Sequence, residues 1–433
     1  VPWLFLLATG VGLAFTINAF TPISSQRRWF IPSFFASWLT MELAAHHLAW
    51  QALATALFVL AGALRSWPGW IGLGLVAVQW FGLLVLIAQG RRARHSMEHA
   101  LQRFTEAPLE RAIPWTRLLM PFPLFIPDDR RIRDVVFARA AGRELALDVF
   151  LPPSGGTGRP AVVQIHGGAW VIGDKREQGL PLLSHMAGRG WVGFNVNYRL
   201  SPGATFPDHL VDIKRAIQWI REHADDYGID PRFIAVTGGS AGGHLAALLA
   251  LTPDDPRYQP GFEDADTSVQ ACAPIYGVYD LVNRLGIRSP RYRDRFIGPL
   301  VVKAFYDDEP EKFHDASPVD RVTDAAPPFF VIHGDRDTMS PLEDAQLFVE
   351  KLREVSKQPV LFAEIPGAQH AFDVFLSPRS APVIEGVAAF FDEAHRRWTE
   401  AQNRPVIEAP ANPGPSPGET ETRARAVGAA PST

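Results

Sequence analysis

The chain predicts an α/β architecture: a mostly parallel central sheet between helices, preceded by an N-terminal helical membrane segment of about three spans. Three observations carry this. Residues 3–20 and 67–88 run without a single charge, about the length a helix needs to cross a bilayer. From about residue 130 to 400, short apolar runs alternate with amphipathic stretches, as expected of strands buried on both faces and joined by crossover helices. The polar residues of chemical interest fall where those apolar runs end, the edge at which open parallel sheets place their sites.

The membrane segment comes first. Between the two charge-free runs, residues 33–64 are mostly apolar but include Glu42, His46, His47 and Gln51. A span over 44–64 leaves Glu42 near one interface and both histidines in the first turn, where solvation is the expected state rather than a functional site inside the membrane. Arginines mark the ends of the runs: Arg27 and Arg28 after the first, Arg65 after the second, and Arg91, Arg92 and Arg94 after the third. Under the positive-inside rule, three crossings place the two richer ends, and all that follows residue 91, in the cytoplasm. A cleaved signal peptide is the alternative for the first run, but no A-x-A-type site follows it. The net charge of −4 hides an asymmetry. Residues 1–103 hold seven Arg, no Lys and two Glu, whereas the rest holds 35 basic and 44 acidic residues. Basic residues clustered at the ends of apolar runs fit a membrane surface and give no reason to expect a nucleic-acid partner.

The predicted division is 1–94 transmembrane, 95–129 linker, 130–402 sheet domain and 403–433 tail. The linker contains the Pro-rich apolar stretch MPFPLFIPDD, which breaks a helix and lies on the membrane surface or against the sheet domain. The tail is rich in Pro, Ala, Gly, Glu and Ser and cannot bury enough surface to order itself. In the sheet domain, RDVVFARAAGRELALDVFLP reads as a hairpin turning at Ala141-Gly142. Strands are expected over 161–165, 191–198, 233–236, 269–275, 329–332 and 360–365. Helices are expected over 182–189, 209–227, 241–251, 341–355 and 382–400. The single cysteine, Cys272, excludes an intrachain disulfide and a cysteine metal cluster; its apolar run makes it a core residue.

The chemistry gathers at strand ends. VTGGSAGGH holds Gly238-x-Ser240-x-Gly242 between a strand and a helix, the pattern of a strained turn that exposes a serine Oγ. The flanking glycines are needed where a Cβ would strike neighbouring backbone, and the following helix turns its free N–H groups towards the reaction. No Lys follows the glycines, so a Walker-type phosphate loop is excluded. A serine needs a base, and His370 in GAQHAFD lies downstream, just past the strand at 360–365. The base needs a carboxylate; FFVIHGDRDTMSP offers Asp335 and Asp337, and spacing does not choose between them. HGGAW after the strand at 161–165 supplies Gly167 and Gly168 as oxyanion donors, with the N–H of Ala241 as the other arm. Trp170 either walls an acyl pocket or packs under a loop. The segment 281–322 is long for a crossover and carries Arg284, Arg288, Arg291, Arg293 and Arg295; it is expected to cap the site, these arginines meeting anionic groups or forming a solvated face.

With HGGAW, NYRLSP, GIDPRFIAVTGGSAGGHLAAL, HGDRDTMSP and HAF in place, residues 130–400 resemble the α/β-hydrolase superfamily. The closer resemblance is to the serine carboxylesterase/lipase branch with hormone-sensitive-lipase-like and kynurenine-formamidase-like enzymes. The whole chain resembles actinobacterial membrane-attached esterases of the LipC type. That resemblance implies an α/β-hydrolase fold, Asp337 rather than Asp335 as the acid, and no metal or organic cofactor. A third glycine of the lipase signature is replaced here by Ala169, which leans towards the formamidase-like side. The implied function is a membrane-anchored serine esterase or lipase acting on small-molecule or lipid acyl esters through Ser240, His370 and Asp337. The alternatives are an arylformamidase or peptidase using the same groups, or a non-catalytic membrane protein with a hydrolase-like binding domain.

Overall fold

The structure, a computed structural model, describes residues 1–24, 27–111, 113–121 and 130–403. Most of the MPFPLFIPDD stretch and all but the first residue of the 403–433 tail lie outside the described residues.

The apolar N-terminal segment forms four helices, α1 (Pro2–Phe20), α2 (Phe30–Glu42), α3 (Ala44–Leu60) and α4 (Trp67–Arg91), and α5 (Ala93–Leu101) continues α4 after a slight break. Two helices, Pro2–Phe20 and Trp67–Leu101, are long and apolar enough to cross a bilayer; α2 and α3 pass only as a pair, bent by 87°. A helix, α3, begins at residue 44, where the second span is expected. What the charge-free runs do not announce is α2.

Helices α1 and α4 run parallel. Moving along the pair, Phe5 meets Gly72 and Val76, Gly12 meets Gln79, Thr16 meets Gly82, and Ala19 meets Leu83 and Leu86. A Cβ on Gly72 would lie 2.9 Å from the Phe5 ring, and one on Gly82 would lie 2.6 Å from Thr16, so the glycines set how closely the helices approach. Two parallel helices require the chain between them to travel back. The α3 helix does so: its Ala44 packs with Leu83 and Leu86, and its Phe58 against Phe5, Ala63 and Val76. The α2 helix turns polar side chains inward, burying Ser33, Ser37, Thr40 and Glu42. Outward it shows Ile31, Phe35 and Leu39, which are 51%, 51% and 38% exposed and share one stripe at i, i+4, i+8.

The sheet follows. Strands β1 (Arg131–Ala140) and β2 (Arg143–Phe150) form the expected hairpin, with Ala141 and Gly142 both at positive φ. Then come β3 (Arg159–Ile165), β4 (Val192–Val196), β5 (Ile229–Gly239), β6 (Ala271–Ile275), β7 (Phe329–Gly334) and β8 (Val360–Ile365). The order is β1-β2-β4-β3-β5-β6-β7-β8, antiparallel through β2–β4 and parallel from β4 to β8. Helices α6 (Leu180–Gly188), α7 (Asp208–Glu222), α8 (Ala241–Leu251), α9 (Leu342–Val355) and α10 (Ser380–Gln402) surround it. Every residue of α8 is buried, which explains an apolar run without a polar face. Cys272 is buried in β6, and burial pushes its thiol well up.

Helical segment and sheet belong to one packed unit, Val1–His395. The segment 281–322 holds a short helix Pro290–Tyr292, a π-helical stretch Arg293–Val302 and a helix Pro310–Asp315. Four of its six arginines are engaged by this chain's own acids: Arg284 by Asp320, Arg288 by Asp344, Arg293 by Asp294 and Arg321 by Asp315.

Candidate active site

The end of β5 runs straight into Ser240, which has φ 58° and ψ −121° and caps α8. Such a backbone costs on the order of 1–3 kcal/mol and persists only where its surroundings force it. Here they do. A Cβ on Gly238 would lie 2.6 Å from the Gly242 backbone and 2.7 Å from the Ile165 carbonyl, and one on Gly242 would overlap the Ile165 carbonyl. The Ser240 N–H donates to the Ile275 carbonyl of β6 at 3.0 Å, so adjacent strand ends hold the turn on both sides.

His370 lies on the loop after β8. Its Nε2 accepts from the Ser240 hydroxyl at 2.7 Å, and its Nδ1–H donates to Asp337 Oδ2 at 2.6 Å. The other carboxylate oxygen of Asp337 accepts from the N–H groups of Met339 and Ser340 at 2.9 and 2.7 Å. Burial alone would raise this carboxyl; the charge and hydrogen bond of His370, with the Ser340 N–H, hold it below its ordinary value. Asp335, the other candidate, instead accepts from the Gly367 N–H at 2.6 Å. The two acids are two residues apart on a tight loop, and only one faces the imidazole.

The expected oxyanion donors divide. Gly167 lies against Ser240: a Cβ built on it would be 3.1 Å from Ser240 Cβ. Its N–H is already engaged, however, donating to the Gln178 side-chain oxygen at 2.8 Å. In this geometry the Gly167 N–H is therefore occupied, because a side chain eleven residues on folds back to take the donor. Gly168, at φ +115°, has no acceptor for its N–H among the described residues. Ala241 is the first residue of α8, where a helix leaves its N–H free.

Trp170 is 1% exposed and belongs to the main core. Its indole N–H donates to His244 Nδ1 at 3.2 Å, while His244 Nε2–H donates to the Ala316 carbonyl at 2.7 Å. This geometry fits the packing alternative for Trp170.

Three neighbours had no signal in the spacing. Tyr276, just past β6, sets its ring 4.8 Å from that of His370 and donates its hydroxyl to Asp373. Gln178 occupies the Gly167 N–H. Gln369 receives three hydrogen bonds between the His370 and Asp337 loops. Tyr276 directly follows the strand expected over 269–275, a position that could have drawn attention to it; nothing local does so for the other two. Glu42, expected to be solvated, is instead buried and paired with Arg379 and Ser377, because the loop ahead of α10 presents its own cation to the end of α2.

The arrangement brings together a serine hydroxyl, an imidazole hydrogen-bonded to a buried carboxylate and free N–H donors beside them, groups of the kind that acyl transfer uses. Comparison with known proteins agrees. The BD-FAE family model matches residues 147–352. The probable carboxylic ester hydrolase LipM of Mycobacterium tuberculosis is 40% identical over 407 residues, 90% of this chain and 93% of LipM. Esterase LipC of the same organism is 46% identical over 238 residues, 55% of this chain and 59% of LipC. The apo form of Thermogutta terrifontis esterase 2 superposes with a TM-score of 0.51 at 25% identity, covering 65% of this chain and 97% of that one. The likeness to LipM along nearly the whole of both chains, on the fold and constellation described above, shows that this chain belongs to the α/β-hydrolase family of carboxylic ester hydrolases that includes LipM and LipC.

Proposed function

We propose that Ser240 is the nucleophile of this ester hydrolase, His370 its general base and acid, and Asp337 the carboxylate that orients and charge-balances His370. The observation that carries the proposal is the unbroken hydrogen-bonded chain Ser240–His370–Asp337, at 2.7 and 2.6 Å, on a strained strand-to-helix turn. Ser240 Oγ bonds to the ester carbonyl carbon as its proton passes to His370 Nε2. The N–H groups of Gly168 and Ala241 stabilise the oxyanion; Gly167 joins them only if Gln178 lets go. Collapse breaks the ester C–O bond, and the alcohol leaves with the proton from His370. Water then attacks the acyl carbon, His370 takes its proton, and Ser240 is released as the carboxylic acid departs.

The substrates are acyl esters whose apolar part partitions into lipid. The helical segment is an anchor of three spans, α1, α3 and α4, with the sheet domain on the cytoplasmic side. The arginine distribution and the parallel run of α1 and α4 support that topology. The division into a membrane segment, linker, sheet domain and tail goes with it.

A fluorophosphonate probe and a p-nitrophenyl ester test the assignment. The wild-type chain is expected to label covalently at Ser240. Ser240→Ala is expected to lose labelling and at least about 10⁴-fold in turnover while keeping its melting temperature. Labelling or turnover surviving in that variant refutes the proposal. Formamide and peptide substrates in the same assay fix the substrate class.

A further inference from the structure

We infer that Gln369 is a positioning residue for the Ser240–His370–Asp337 chain and that Ser37, on α2, holds Gln369 in place, so that the helical segment and the sheet build the active site together. The inference rests on the roles proposed for His370 and Asp337.

Gln369 is fully buried. Its Oε1 accepts from the His370 N–H at 3.0 Å, the Thr338 N–H at 2.7 Å and the Thr338 hydroxyl at 3.1 Å. Two backbone N–H groups can only donate, so they fix which end of the amide is oxygen. Thr338 directly follows Asp337. One oxygen atom therefore ties the backbone of the base to the backbone of the acid. At the other end, Gln369 Nε2 donates to Ser37 Oγ at 3.2 Å, and the Ser37 hydroxyl passes its own proton to the Phe34 carbonyl at 2.9 Å.

The next residue of α2 repeats the contact on the far side of the histidine. Trp38 Nε1–H donates to the Ala371 carbonyl at 2.9 Å, where Ala371 has φ 59°, and the indole packs on Phe375 at 4.7 Å. Residues 369 and 371, which flank His370, are thus held by residues 37 and 38 of one helix. The acid loop is touched as well: Arg336, next but one before Thr338, donates to the Ala19 carbonyl at the end of α1 at 3.3 Å. A helix docked only for packing would bury its apolar stripe. Here α2 buries two serines, a threonine and a glutamate beside Phe34 and Met41, and leaves Ile31, Phe35 and Leu39 outside. Removing the acceptor at Ser37 strands a buried amide donor. Gln369 then relieves it by rotating, which frees the backbone of His370. Misplacement of a reacting group by about 1 Å can cost on the order of 100-fold.

The test uses the full chain in detergent micelles with a water-soluble short-chain p-nitrophenyl ester. Ser37→Val removes the hydroxyl and Ser37→Thr keeps it. Ser37→Val is expected to lower kcat roughly tenfold with KM within about twofold, and to slow fluorophosphonate labelling of Ser240 by the same factor. Ser37→Thr is expected to restore both. Trp38→Phe, which keeps the ring and loses the donor, is expected to lower kcat with KM unchanged. The inference is overturned if Ser37→Val keeps wild-type kcat, or if Val and Thr fall together, since shape alone then matters. Should Ser37→Val not fold, Ser37→Ala is judged by the same criterion. Ser240→Ala separates the two claims: turnover in that variant sinks the proposed triad, whereas an inactive Ser240→Ala beside a fully active Ser37→Val sinks only the positioning role.

Discussion

Single residues in the core are committed to one protonation state. Trp170 Nε1 can only donate, so His244 Nδ1 must be bare, and the Ala316 carbonyl requires the proton on Nε2. Burial lowers the His244 pKa from 6.5 to about 4. The unfolded chain takes up a proton below 6.5 and the folded chain does not. The associated stability is therefore complete above pH 6.5 and lost progressively as pH falls towards about 4, on the order of 3 kcal/mol in all. His244→Gln can keep both hydrogen bonds without titrating. It is expected to flatten the fall in melting temperature between pH 7 and pH 4, and an unchanged slope contradicts this account. At this scale the sequence was readable where one backbone contact forces one residue type. The glycines around Ser240 are dictated by carbonyls a Cβ would strike. The engagement of Gly167 was not readable, because Gln178 reaches it through a loop path that no local spacing encodes.

Elements meet across a buried ion pair. Glu42 closes α2, and Arg379 stands just before α10; both are buried and bonded to each other. Removing one partner leaves a charge without its counter-ion, at a cost of about 3–5 kcal/mol, while replacing both by apolar side chains is often neutral or better. Glu42→Met is expected to lower the melting temperature in detergent by several degrees, and Glu42→Met with Arg379→Met to recover most of it. A double variant no better than the single one counts against the pair as the link. The strands were legible as short apolar runs and the crossover helices by their amphipathic period, down to β8 at Val360–Ile365. The α2 helix was not, since it buries Ser33, Ser37, Thr40 and Glu42 beside Phe34 and Met41 while exposing Ile31, Phe35 and Leu39, so no single apolar face marks it.

For the whole molecule, the parallel run of α1 and α4 makes topology measurable. The one cysteine, Cys272, is buried, so an introduced surface thiol reports alone. With three spans, Ser66→Cys, between α3 and α4, and Glu106→Cys, beyond α5, lie on opposite sides. An impermeant maleimide applied to sealed, right-side-out vesicles is expected to modify Ser66→Cys and spare Glu106→Cys. Modification of both or of neither contradicts three spans, and the reverse pattern contradicts a cytoplasmic sheet domain. The bond between Ser37 and Gln369 joins residues 332 apart in the chain. A ribosome adding about 5–20 residues per second makes the second partner on the order of half a minute after the first. On the proposed topology, the early helices have left the translocon and settled among lipids before the histidine loop is synthesised. On that topology, and with the role inferred for Ser37, the histidine loop gains its contacts to α2 only after the helices have settled in the bilayer, so membrane insertion precedes the final adjustment of the catalyst.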